Sequence, residues 1–478
     1  MNKYLEISRF IYIFGLVILP LFLSPFSETP YTLSKTFLIA LVSLLSGLFF
    51  ILSNTGRFLF PNNYVNLFFL FDIVQGLFVD SSLLFPRYSE HYLVSINIYI
   101  FIFLGINLFK NLDLEKPLFY SSIFVIFISF FELFINEGRL IGTLGQSNFL
   151  GIFLVLSILS VLNNLKNYTT QQIIIYTLLS TMLIIKTASL AAVFSLIIGL
   201  FILRDKIIKL GTKIIFFGIV LISLIILFFG QIYINKSIDI FNQIFKPRET
   251  IISDSFLIRV KIWELTSDVI FSSPVNAIFG FGSNNFEVFF EKVRNNNLSL
   301  TSESKLFFDK PHNYFLEILF NKGLVGLVLF LLIVYRTVRF GRYLKYIFIP
   351  ILFFLFFNWL DIYLKILFFF IAALNLSSVE IKIENEKLFK IILTILLIFT
   401  FYFFGSYFYR DTKSFYGNNQ YIFSETKEDV LNFKYSNPIF LINSTKYMSQ
   451  EESRKIFDFL IKNFPNNEAL LFHSDKLL

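Results

Sequence analysis

The sequence predicts an all-α, polytopic membrane protein, and three observations predict it. Of 478 residues, 56% are hydrophobic and only 15% charged, with a mean hydropathy of +0.70; a soluble domain carries about 25% charged residues. Apolar runs long enough to cross a bilayer as helix, about 20 residues, recur along most of the chain. Between them Lys and Arg gather in every second connection, the pattern that orients membrane helices. Cysteine is absent, which excludes disulfides, thiolate catalysis, Cys-ligated zinc and iron–sulfur clusters.

Taken in order, the runs are 10–26, 36–54, 63–80, 91–109, 118–136, 148–165, 172–187, 189–203, 213–234, 314–335, 343–358, 360–376 and 388–408. Two pairs decide whether the count is twelve or thirteen. Residues 172–187 and 189–203 nearly touch, and 343–376 is interrupted only by "NWLD". Arg9 leads into a long apolar run with no small-residue cleavage site after it, so the first run is expected to stay as a span.

The basic connections carry Lys3 and Arg9, Arg57, Lys110 and Lys116, and Lys166. They continue with Arg204, Lys206, Lys209 and Lys213, then Arg336, Arg339, Arg342 and Lys345, then Lys382 and Lys387. The opposite short connections hold only Lys35, Arg87, Arg139 and, at a helix end, Lys186. That asymmetry puts the N-terminus in the cytoplasm and the 235–313 segment outside. With thirteen spans the tail is outside too.

The expected organisation is a multi-pass domain over 1–408, with 235–313 inserted as a long outer loop, followed by a small helical tail over 409–478. The loop far exceeds an ordinary connection, which marks it as functional or separately folded. Within it "DSFLIRVKIWELTSDVIFSSP" reads as an amphipathic helix ended by Pro274 and lying along the membrane interface. The tail alternates short amphipathic segments with Asn-Pro and Pro-Asn-Asn turns. It reads as one or two helical hairpins of tetratricopeptide type, without a repeat that aligns.

Four polar sites fall on the outer face of this topology. In "NEGRLIGTLGQSNFLG", closely spaced glycines, Gly142 and Gly145 among them, allow close backbone approach, their N–H groups suit an anion, and Arg139 adds a cation. An ordinary turn feeding the next helix is the competing reading. In "IIKTASLAAV", Lys186 stands near the outer end of a span, where an ammonium either snorkels or meets a partner. In "SFLIRVKIWELTSDVI", Arg259 and Trp263 share a helix face; guanidinium and indole suit a diphosphate and the sugar beyond it. General attraction to anionic lipid is the alternative. In "KPHNYFLEILF", His312 precedes a helix and Glu317 lies one turn in, placed to orient the imidazole or to serve as a structural hydrogen-bond partner. His91 and His473 read as passive.

Absences narrow the chemistry. There is no Gly-Lys dipeptide and hence no Walker-A loop. No Asp-x-Asp pair and no His-Glu-x-x-His occur either; the nearest acidic pattern, Asp113 and Glu115, falls on the cytoplasmic side. No metal, no cofactor and no nucleic-acid partner is expected.

The order "GRLIGTLGQSNFLG", "KTASLAAV", "RVKIWELTSDVIFSSPVNAIFGFGSNNF" and "KPHNYFLEILFNKGLVGL" resembles the O-antigen ligase and polymerase family over about 130–335. The resemblance implies an integral glycosyltransferase of the bacterial inner membrane, metal-independent and working on the periplasmic side. It would move a glycan from undecaprenyl diphosphate to an acceptor hydroxyl on lipid A core, a growing glycan or a protein. Carried over, Arg259 holds the diphosphate and His312 activates or positions the hydroxyl. Asn313 and Glu317 support that region; Gly142, Gly145, Asn148, Arg139, Lys186 and Trp263 complete the substrate contacts. The sequence departs from the family at Leu190, where an arginine is expected after Thr-x-Ser; Lys186, one turn earlier, is the candidate replacement.

An unperturbed imidazole, with a pKa of about 6.5, suits a general base, and fixed cations suit a departing diphosphate. Ligation, polymerisation and protein O-oligosaccharyl transfer share these motifs, and the tail favours ligation or protein transfer slightly. Two rival classes stay open. Asp72, Glu132, Lys365 and Lys186, in or beside spans, fit a transporter or flippase, and Leu190 fits an assembly scaffold that has lost its chemistry.

Overall fold

The computed structural model describes residues 3–24, 31–53, 57–79, 91–109, 114–135, 139–208, 255–283, 285–293, 308, 310–341, 344–376, 378–415, 445 and 448–463. Outside them lie the expected span 213–234, Arg87, Lys110, Lys209, Lys213, Arg342, His473 and most of the tail.

The protein is an all-α polytopic membrane protein. Its helices are α1 (Lys3–Ile18), α2 (Thr32–Ser53), α3 (Asn63–Val79), α4 (His91–Leu108), α5 (Glu115–Ile135), α6 (Ser147–Asn163), α7 (Thr170–Thr187) and α8 (Leu190–Ile208). They continue as α9 (Ser255–Phe271), α10 (Pro274–Phe279), α11 (Phe286–Val293), α12 (Tyr314–Phe340), α13 (Lys345–Leu355), α14 (Ile362–Asn375), α15 (Glu386–Phe415) and α16 (Gln450–Asn463). Each expected span within the described residues overlaps a helix, but the first is displaced: α1 runs Lys3–Ile18 where 10–26 was expected, and α2 opens at Thr32 where 36 was expected. Thr32–Ser53, Glu115–Ile135, Tyr314–Phe340 and Glu386–Ser406 are long and apolar enough to cross a membrane, and Leu93–Leu108, Ser147–Asn163, Lys345–Leu355 and Ile362–Asn375 are shorter apolar helices.

Both doubtful pairs are separate helices. Ala188 takes left-handed backbone, φ 51°, between α7 and α8. Asp361 caps α14 by accepting the Leu364 N–H at 2.8 Å. The last long helix runs through the expected 408/409 boundary to Phe415.

The chain divides into two compact units. The first comprises Met1–Asn66, Asn97–Asp239 and Leu332–Phe408. Its central helices α6 and α14 are buried almost all round. By contrast α5 exposes Phe124, Phe127, Phe131, Phe134 and Ile135, and α15 exposes Ile391, Ile395, Ile398, Phe399 and Tyr402. Such large apolar faces are stable only against lipid or a partner.

Contacts in this unit join connections that the charge count assigns to one side. The Arg9 Nε donates to the Leu108 carbonyl, and Arg336 to the Tyr64 hydroxyl. Asn163 is shared by Lys206 and Glu115. A two-stranded antiparallel sheet pairs β1 (Arg57–Phe60) with β2 (Val379–Lys382), setting Arg57 opposite Lys382. On the other side the Thr143 hydroxyl donates to the Pro20 carbonyl, and Lys35 to that of Thr143.

The second unit comprises Leu67–Ile96, Ile240–Leu331 and Tyr409–Leu478. Its core gathers one face of α9, Ile258, Ile262, Leu265 and Val269, against Phe281, Phe286, Phe290, Phe308 and Phe320. Phe281 stacks on Phe320 with centroids 4.8 Å apart, and Phe308 meets Phe290 edge-on. In α16, Ile456, Phe457 and Leu460 are buried, and Ser449 with Glu452 forms a reciprocal cap at its start.

Candidate functional site

In the second unit, spacing along α9 fixes what each side chain can do. Positions 258, 262, 265 and 269 face the core, so Arg259, Trp263 and Ser267, each shifted by one residue or one turn, form a half-buried strip beside it. The Trp263 indole N–H donates to the Pro311 carbonyl at 2.8 Å. That bond ties the helix carrying Arg259 to the residue immediately before His312. The helix itself ends at Phe271, before the expected Pro274. The Ser273 hydroxyl accepts from the Asn276 N–H, and Pro274 opens α10, as fits a residue with no N–H of its own to satisfy.

The His312 turn is held from both sides. Asn313 is the N-cap of α12: its side chain accepts the Leu316 N–H at 3.1 Å and its carbonyl the Glu317 N–H at 2.8 Å. This gives Asn313 a definite role, satisfying helix-end donors that would otherwise be bare. His312, one residue before the cap, has φ 54°. Left-handed backbone at a residue other than glycine is uncommon and costs about 1–3 kcal/mol. The surrounding bonds keep it there. His312 and Glu317 are both half-buried.

Helix α12 is broken inside the apolar run. Gly323 has φ 65° and ψ −168°, and a Cβ there would lie 2.2 Å from the Ile278 carbonyl oxygen. Gly280 answers it from the other chain segment: its Cβ would lie 2.2 Å from the Asn321 carbonyl oxygen. Only paired glycines allow this approach. The Phe320 and Asn321 carbonyls, which an unbroken helix would give to Leu324 and Val325, accept from the Phe281 and Gly282 N–H groups at 2.9 and 3.0 Å. The Gln75 amide also donates to Asn321, at 2.7 Å, and to Phe279. The "GFG" stretch, Gly280–Gly282, is therefore the splice for a broken helix.

At that break lies an ion pair absent from the sequence reading. Lys322 pairs with Asp72 of α3, and both side chains are buried. The Ser95 hydroxyl donates to the same carboxylate at 2.6 Å, and Ser283 stands 3.4 Å from the ammonium. Asp72 was noticeable as a charge in an apolar run. Lys322 carried the same signal, but lay close to the run's polar start.

The first unit holds the other predicted residues. The Glu132 carboxylate accepts the Ile141 and Gly142 N–H groups at 3.0 and 2.8 Å. The anion met by these donors is thus one the protein supplies. Gly145, with φ 80°, ends a 3-10 turn over Gly142–Leu144 and lies against the Tyr31 ring. Burial, and next to it Glu132, push the Tyr31 phenol above its ordinary pKa. Lys35 is buried beneath the turn, donating to the Thr143 carbonyl at 3.1 Å.

Asn148 is half-buried in the first turn of α6, and Arg139, Lys186 and Leu190 are exposed. Gly151 lets α6 pass close to the break between α7 and α8: a Cβ there would be 2.8 Å from that of Ala192 and 3.1 Å from the Thr187 hydroxyl. The glycine-rich turn and the Thr-Ala-Ser break are therefore neighbours. Arg259, Trp263, His312, Asn313 and Glu317 form a separate grouping in the second unit.

Residues 173–331 match the family described as O-antigen ligase. The matched stretch contains Lys186, Arg259, Trp263, His312, Asn313 and Glu317; Arg139, Gly142, Gly145 and Asn148 precede it. None of the curated proteins compared with the chain matches it.

Proposed function

We propose that the chain, whose residues 173–331 match the O-antigen ligase family, is a membrane glycosyltransferase of the O-antigen ligase or polymerase type that transfers a glycan from undecaprenyl diphosphate to an acceptor hydroxyl at the periplasmic face of the inner membrane. The acceptor hydroxyl attacks the anomeric carbon, its proton passes to the His312 imidazole, and the bond to the diphosphate oxygen breaks. Undecaprenyl diphosphate departs with the bonding electrons, its charge held by Arg259. Asn313 and Glu317 hold the histidine turn in place. Arg139, Lys186, Gly142, Gly145 and Asn148, the further substrate contacts that the resemblance implies, lie in the first unit and are given no step in the transfer.

The observation that carries this reading is the Trp263–Pro311 hydrogen bond, which fastens the arginine helix to the histidine turn inside the matched stretch. A base contributes about 10²–10⁴ in rate, and one preorganised charge contact about 3 kcal/mol of barrier. The bilayer-edge setting follows from the donor: its polyprenyl tail stays in lipid while the head group reaches polar loops. Ligation to lipid A core is the form proposed, with polymerisation and protein O-oligosaccharyl transfer the alternatives of the same class. A flippase is disfavoured because Asp72 and Glu132 are engaged in internal contacts with the protein itself.

Purified protein in vesicles, given polyprenyl-diphosphate-linked glycan and lipid A core, is expected to form covalent product without an ion gradient. Glycan crossing the bilayer with no product formed would reject the reading. In cells lacking the protein, ligation predicts carrier-linked glycan accumulating with no surface polymer, and polymerisation predicts single repeats at the surface.

A further inference from the structure

Helix α12 is not one rod, and the break at Gly323 decides where its first half points. The half carrying Asn313, Tyr314 and Glu317 leads directly to the His312 turn, so a change of angle at the break moves that turn. Backbone bonds from Phe281 and Gly282 satisfy the open carbonyls, but hydrogen bonds to a glycine-rich loop leave the angle soft. A buried ion pair is different. Its strength depends on distance and direction, and neither charge has water to turn to.

We propose that Asp72 and Lys322 are positioning residues for glycan transfer, their ion pair setting the angle of the break at Gly323 and so the direction in which the Tyr314–Lys322 half-helix presents the His312 turn. Three observations support this. The pair is buried at the break itself, with Lys322 adjoining Gly323. The Ser95 hydroxyl binds the Asp72 carboxylate and Ser283 stands beside the Lys322 ammonium, so both ends of the pair have polar neighbours. Asp72 comes from α3, far from the 173–331 stretch that matches the family, so an element outside that stretch orients the element proposed to act. The inference rests on the assignment of His312 made above.

The test uses full-length protein in vesicles with polyprenyl-diphosphate-linked glycan. Asp72→Asn alone leaves a buried ammonium without its partner and is not informative if it fails to accumulate. The paired replacement Asp72→Leu with Lys322→Met removes both charges and keeps the volume, a change that buried ion pairs often tolerate in stability. We expect this double variant to accumulate and melt like the wild type, with donor KM unchanged and kcat lower on the order of tenfold to a hundredfold, the size of effect that a small misplacement of a reacting group produces. The reversed pair, Asp72→Lys with Lys322→Asp, is expected to recover kcat.

A double apolar variant with wild-type kcat overturns the proposal. So does a reversed pair that accumulates without regaining kcat, and so does failure of both doubles to accumulate, since the pair would then hold the fold and not the turn. His312→Ala is measured alongside. If it transfers at the wild-type rate, the assignment of the site has failed; if it is inactive while the apolar double is fully active, only the positioning role has failed.

Discussion

The glycine-rich turn of the first unit and the histidine turn of the second are both polar breaks in apolar sequence, yet they use their polar groups oppositely. At the first, backbone donors are satisfied from within: Glu132 takes two N–H groups, and Lys35 binds the Thr143 carbonyl. At the second, capping and the Trp263 bond hold His312 in a backbone conformation that resists it. Strain retained at a polar turn points to function; a turn that satisfies itself points to architecture. The family match contains the second turn and not the first.

Substitution can break this contrast. The largest effect is expected from His312→Ala, which should lower transfer by about 10²–10⁴ while the protein accumulates normally in membranes, measured as product per inserted molecule. Arg259→Ala comes next, at about a hundredfold in kcat, the loss of one fixed charge from a departing diphosphate. Wild-type transfer by both variants would remove the assigned roles.

Glu132→Ala should behave in the reverse manner. Losing the two hydrogen bonds that Glu132 accepts from the exposed Ile141 and half-buried Gly142 N–H groups costs about 0.5–1.5 kcal/mol each, so the thermal midpoint in detergent falls while transfer per folded molecule holds. A kcat loss without a stability loss would make the glycine-rich turn part of the chemistry and erase the contrast. The smallest effect sharpens it: Leu190→Arg, at the exposed start of α8, should leave both kcat and the thermal midpoint close to wild type.

How much of this was legible in the sequence depends on whether a feature is local. Spans were legible because an apolar run of bilayer length has few other fates, and the starts at Asn63 and Tyr314 are the expected ones, whereas α1 ends at Ile18 and α2 opens at Thr32, away from the expected 26 and 36. The strands Arg57–Phe60 and Val379–Lys382 were not, because four residues on each side of a long separation pair only in the fold. The break at Gly323 was hidden for the same reason. "NKGLVGL" reads as continuous helix until Gly280 arrives from another segment to fill the gap. The Asp72–Lys322 pair joins positions that no spacing rule connects. At the site, Arg259, Trp263, His312 and Asn313 were readable as residue types at helix positions, whereas the indole bond that fastens them needed the tertiary structure.

The chain has no cysteine, which makes the central claim directly measurable. With Arg259→Cys and His312→Cys introduced together, a short bifunctional maleimide should join the two positions within one molecule in native membranes, and block later labelling of both. Two thiols that each label freely but never cross-link would place guanidinium and imidazole too far apart to serve one anomeric carbon, and the proposed transfer site would not stand.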